Sequence, residues 1–156
     1  MIWNDSFAYK LLLFLHLLSV VIGFGGYMLN GLFGRQAAKQ TDEGGKAING
    51  AFLQVSKVSQ YAMYGVLIFG IGLIGAAKKG AGLSFSTPWV GPAILVWVLM
   101  VGVLHGLILP AQTKLAGGDG DRASLTQRLS MSIGIMNLLL VVALVLMVWE
   151  PGTKGI

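Results

Sequence analysis

The chain contains no cysteine. Disulfides, thiolate metal sites, covalent attachment of a c-type haem and cysteine nucleophiles are therefore excluded together. Charge is also scarce. Only 11% of the 156 residues are Asp, Glu, Lys or Arg, against roughly a quarter in a soluble domain. Acids are the rarest: Asp5, Asp42, Glu43, Asp119, Asp121 and Glu150 are the only six, and none falls inside an apolar block. A proton- or sodium-coupled transporter normally carries one there. No P-loop, Gly-rich dinucleotide turn, zinc spacing or nucleophile–base pair appears, which argues against an enzyme acting on soluble substrates.

What the chain has in abundance is apolar sequence, 55% of it. Four blocks, at about 8–29, 58–77, 89–109 and 133–149, carry almost no charge. Each is close to the ~20 residues that a spanning helix needs. The expected fold is all-α: an integral membrane, antiparallel four-helix transmembrane bundle, in a single domain over 1–156. The first block reads as a retained helix rather than a signal peptide, since its run is too long and no small-x-small cleavage site follows.

The charges lie between the blocks. Arg35, Lys39, Lys46 and Lys57 flank the first connection and Lys114, Arg122 and Arg128 the second, with Lys10, Lys78, Lys79 and Lys154 at the opposite ends. By the positive-inside rule both termini are outside and the loops at about 35–52 and 113–126 are cytoplasmic, in a bacterial inner membrane. The net charge of +5 follows from this topology and does not imply nucleic acid. Asp42-Glu43-Gly44-Gly45 and Gly117-Gly118-Asp119-Gly120 read as flexible turns. Asp121 suits the N-cap of helix four, and Pro88 and Pro92 the start of helix three. Pro110 is expected to end or kink helix three. Trp3, Trp89 and Trp149 fall at the expected outer boundary.

The chemistry-bearing residues are His16 and His105, each inside a membrane-length block. An ionisable side chain there is costly unless it faces a protein interior and has a partner. His16, Ser19, Gly23, Gly26 and Asn30 share one face of helix one, and Gly102, His105 and Gln112 one face of helix three. Helix two offers Gln54, Tyr61, Gly65, Gly72 and Gly75, and helix four Ser130, Gly134 and Asn137. Such small and polar stripes let helices approach and hydrogen-bond. Small neighbours such as Ser19, Gly23 and Gly102 also leave room for a flat cofactor. The histidines suit a helix-to-helix hydrogen bond, haem ligation, copper with methionine as soft partner, or a proton relay. His16 lies nineteen residues before Arg35 and His105 nine before Lys114, which separates their depths by roughly 10–15 Å. A single haem held between both is disfavoured on that ground.

Helix one reads Tyr9-Lys10-Leu11-Leu12-Leu13-Phe14-Leu15-His16-Leu17-Leu18-Ser19-Val20-Val21, then Gly25-Gly26. It resembles the first helix of the CopD-like membrane domains of copper resistance, with their small four-helix relatives, and that of the HemJ-type protoporphyrinogen oxidase. The closing Leu146-Met147-Val148-Trp149-Glu150-Pro151-Gly152 is similar to the terminal Met-Val-x-Lys-Pro of the small CopD relatives, with Glu150 where Lys is usual. The HemJ likeness implies haem b held by His16, and the CopD likeness implies copper handling. Gly23 stands where HemJ-like proteins have Trp, Gly31 and Leu32 where they have Pro-Arg, and helix three lacks their intramembrane lysine. The oxidase activity is therefore not carried over.

The expectation is a haem b-binding membrane protein with an electron-transfer or respiratory-assembly role, its ligands His16 and His105 in the bundle interior. It would sit in lipid as a homodimer or part of a larger complex. The alternative is a non-catalytic module, either an accessory subunit or a copper- or small-solute-handling protein, with structural histidines.

Overall fold

A computed structural model describes residues 6–40, 42–77 and 83–152, without the side chains of 28–33, 35 and 38. Trp3, Lys78, Lys79 and Lys154 lie outside the described residues, as do the side chains of Asn30 and Arg35. Helix α1 runs Phe7–Ala38 and α2 Asp42–Ala76. A third rod is made of α3 (Val90–Val103), a π-helical turn (Leu104–Ile108) and α4 (Leu109–Gly117), and α5 spans Arg122–Trp149. All four rods are long and apolar enough to cross a membrane. With no water to satisfy backbone groups in hydrocarbon, a fully hydrogen-bonded helix is what such runs must form. The protein is an all-α, multi-pass membrane four-helix bundle.

The helices outrun the apolar blocks. α2 has 35 residues, about 52 Å at ~1.5 Å each, against a ~30 Å hydrocarbon core. The expected loops at 35–52 and 113–126 are therefore mostly helix, and the connections shrink to short turns after Ala38 and at residues 118–121. Asp42-Glu43-Gly44-Gly45 is not a flexible tip but the first turn of α2. Its two acids sit at the positive end of the helix dipole, and Gly45 packs beneath Arg122 and the Ala37 carbonyl. The second turn is as expected. Gly118 ends α4 in a left-handed conformation (φ 77°), which costs glycine little. Asp121 then caps α5 by accepting from the backbone N–H of Ala123 and Ser124.

α1 packs along α2 and also touches α5, while the third rod lies between α2 and α5. α2 packs well against α4 but barely against α3. The bundle is tight at the basic end and splayed at the other, where a cavity results. Fully buried Met63, Met100, Leu104, Ile108 and Met136 fill the centre.

Candidate functional site

The seam between α1 and α2 is built by the stripe expected on helix one. His16, Ser19 and Gly23 are buried. Gly23 packs on Met63, and a Cβ at Gly26 would meet Ser59 Oγ at 2.7 Å. Ser59 Oγ–H donates to the Ile22 carbonyl and the Tyr27 hydroxyl to the Ser56 carbonyl, each at 3.2 Å. Gly65 lies against Ser19 and Gly72 against Leu12. Ser19 and Gly23 are thus seam residues that set how closely α1 approaches α2. Neither is among the residues that line the cavity.

His16 is 9% exposed, and its Nδ1–H donates to the Val66 carbonyl across the seam at 2.9 Å. A carbonyl only accepts, so Nδ1 carries the proton and Nε2 is left with a lone pair. Gly70, one turn along α2, lies against the ring: a Cβ there would be 3.3 Å from Cε1. Helical carbonyls normally serve only their own helix. Here those of Val66 and Met63 each take a side-chain donor as well, the second being Trp97 Nε1–H at 2.9 Å.

Beside the imidazole lies the cavity of the splayed end, about 140 Å³ and almost wholly apolar. His16 and Phe24 of α1, Leu67 and Gly70 of α2, Trp97 of α3 and Ala143 of α5 are among its walls. Met100 and Met147 contribute thioethers. Trp89, the N-cap residue of α3, also forms part of the wall, and its Nε1–H is buried with no acceptor among the described residues. Wall residues Ile71 and Leu144 are also exposed on the outside of the bundle, so the cavity wall reaches the lipid-facing surface. Trp89 stands at the start of the third rod with its indole in the cavity wall, and Trp149 ends α5 with its side chain exposed.

His105 departs from expectation. It is exposed on the outer face of the bundle, as is Gly102, which has nothing within 4 Å of a Cβ position. Neither lines the cavity of His16. Gln112, expected on the same face, is fully buried. The π turn explains the separation. Its extra residue turns the rod, so that residues after Ile108, Gln112 among them, are rotated relative to those before Leu104. Pro110 follows directly and starts α4 instead of ending the rod.

His105 Nδ1–H donates to Val101 O one turn back at 3.0 Å, so Nε2 is the acceptor. The Tyr64 hydroxyl donates to it at 2.9 Å, and the Gln60 amide reaches both Tyr64 and His105 at 3.1 and 3.2 Å. The phenol and imidazole stack with ring centres 6.1 Å apart. Tyr64 and Gln60 escaped the sequence pattern, which pointed to Tyr61 as the phenol; Tyr61 is exposed and outside the trio. The signal available was the four-residue step from Gln60 to Tyr64. On α2 the partner of His16, Val66, lies two residues from Tyr64 and six from Gln60, the partners of His105, which is ~3–9 Å of helix axis and short of the roughly 10–15 Å expected.

Two further stripes face outward in part. On helix four Ser130 and Gly134 are exposed, and burial falls on Leu129, Ser132, Ile133, Met136 and Leu140. On helix two Gln54 and Gly75 are exposed. Among the described residues no group of three or more His, Cys, Asp or Glu side chains is arranged to hold a metal ion.

Compared with protein families, with curated proteins and with solved structures, the chain shows no significant match. The likeness to CopD-like and HemJ-type proteins rests on residues 9–21, 25–26 and 146–152 alone.

Proposed function

We propose that this protein is a membrane-embedded binding module that takes a small lipid-soluble molecule into the cavity beside His16. One observation carries the reading: the Val66 carbonyl fixes the His16 tautomer, leaving the Nε2 lone pair unshared next to a pre-formed apolar cavity. Ligand sites are commonly of this kind, largely apolar with a few fixed polar groups. The volume of about 140 Å³ compares with the roughly 150 Å³ cavity that holds one benzene. Purified protein in lipid nanodiscs should bind an alkylbenzene above its partition into empty nanodiscs. Gly70→Leu, which fills the space beside the imidazole, should abolish that excess. No excess in the wild type would refute the reading.

A second reading, haem b with an electron-transfer or respiratory-assembly role, is favoured by one feature. An imidazole whose Nδ1–H is held by a backbone carbonyl is oriented as an axial ligand through Nε2. The space does not fit the group: a porphyrin far exceeds a one-ring cavity, and α1, α3 and α5 would have to part. A Soret band in the purified protein, lost in His16→Asn and kept in His105→Asn, would establish this reading over the first. Copper found by elemental analysis would instead point to His16 with Met100 and Met147, since imidazole and thioether together suit Cu(I).

The same proposal includes orientation and assembly. Lys39, Lys46, Lys114 and Arg122 gather at the end with the two short turns, which supports cytoplasmic turns and outside termini in a bacterial inner membrane. The chain has no cysteine, so single substitutions report directly. Ser6→Cys should react with an impermeant maleimide on intact cells, and Asp119→Cys only after lysis. The polar trio on the outer face supports a homodimer or larger complex that covers it; the mass of the detergent-solubilised particle, corrected for detergent, tests this.

A further inference from the structure

The cavity holds more information than its volume. Its walls are apolar except at two points, and these two are complementary. His16 offers an acceptor, Nε2, whose tautomer is fixed by the bond from Nδ1–H to Val66. Trp89 offers a donor, Nε1–H, buried without an acceptor. Trp97, the other indole of the wall, is already bonded to Met63 O. An orphaned buried donor is uncommon and costly. A purely hydrocarbon ligand would leave it orphaned. A ligand with one hydroxyl and one further ring oxygen would satisfy both groups. The volume allows one six-membered ring, and wall residues Ile71 and Leu144 reach the lipid-facing surface, where an apolar tail would remain.

We propose that the cavity seats the head of a tailed hydroquinone, one O–H donating to His16 Nε2 and the other oxygen accepting from Trp89 Nε1–H. The inference rests on the binding reading above and adds the chemistry of the head group. Only binding is involved; no bond is made or broken. The ligand reaches the site laterally from the bilayer.

Three probes in nanodiscs separate the two levels: a decyl-tailed hydroquinone, its dimethyl ether, and decylbenzene, each corrected for partition into empty nanodiscs. The hydroquinone should bind roughly three- to tenfold more tightly than the ether for each hydrogen bond lost. Two variants assign the groups. His16→Asn keeps a side-chain N–H for the Val66 carbonyl but removes Nε2. Trp89→Phe keeps an aromatic wall but removes the donor. Each should narrow the preference for hydroquinone over decylbenzene by a similar factor, and an unchanged helical circular dichroism spectrum and thermal midpoint show that the variant is folded. Equal binding of hydroquinone, ether and decylbenzene would overturn the head-group inference and leave the cavity reading standing. Failure of all three to bind wild type would overturn both. A hydroquinone preference that survives Trp89→Phe and His16→Asn would also overturn it, because the head would then lie elsewhere.

Discussion

The Nδ1–H of His16 donates to the backbone carbonyl of Val66 at 2.9 Å, and Gly70, one turn further along α2, leaves just enough room for the imidazole to do so. A methyl group at position 70 would stand 3.3 Å from the ring, so Gly70→Ala moves it by a few tenths of an ångström. Gly70→Leu cannot be absorbed in this way. It should cost ~1–3 kcal/mol, the usual range for overpacking. Unfolding in an SDS titration measures the difference between the two substitutions.

The seam makes a sharper contrast. Cβ atoms at Gly26 and Gly65 would meet Ser59 Oγ and Ser19 Oγ at 2.7 Å, whereas Gly102 and Gly134 have nothing within 4 Å. Gly26→Val and Gly65→Val should each destabilise by ~1–3 kcal/mol. Gly102→Ala and Gly134→Ala should cost nothing and, through helix propensity, gain up to about 1 kcal/mol. All four began as members of sequence stripes. Thermal unfolding of the four variants in one detergent tells seam glycine from outer-face glycine.

On the outer face, Tyr64 and His105 form one unit. Tyr64→Phe removes the donor to Nε2, and the Gln60 amide remains as a weaker substitute. Interhelical hydrogen bonds in membranes average about 0.6 kcal/mol and reach about 1.7. A double-mutant cycle of Tyr64→Phe with His105→Phe should give a coupling in that range. A coupling of zero would show that the pair does not hold α2 to the third rod.

At the basic end Asp121 accepts from two backbone N–H groups at the start of α5. Asp121→Ala should cost about 1 kcal/mol. The neighbouring Arg122 guanidinium donates to the Ala37 carbonyl near the end of α1 and meets exposed Asp42 at 3.3 Å. Asp42→Asn removes only an exposed ion pair and should change stability by no more than ~1 kcal/mol. Arg122→Ala should cost more than Asp42→Asn, because it also removes the charged donor to the Ala37 carbonyl and leaves that oxygen only the backbone N–H groups of the helix end. Chemical unfolding of the three variants ranks them.

Hydropathy alone makes the number of spans and the all-α class legible. Hydrocarbon offers the backbone no partner but its own helix, so a long apolar run can be little else. Capping chemistry is equally local, which is why Asp121 and Gly118 could be read from their neighbours. The inward face of helix one was legible too, because His16, Ser19, Gly23 and Gly26 set small and polar residues on one stripe of an otherwise apolar span.

Azimuth on the other helices was decided only by the assembled bundle. In water, polarity tells outside from inside. In a bilayer, lipid and protein core are alike apolar, so polarity does not say which side of a helix meets its neighbours. Ser130 and Gly134 could therefore face outward while Ile133 and Met136 pack inward. The π turn at Leu104–Ile108 then rotated His105 away from Gln112, a shift no regular period anticipates. The one-ring cavity beside His16 is likewise tertiary: it exists because α2 closes on α4 and stands off from α3.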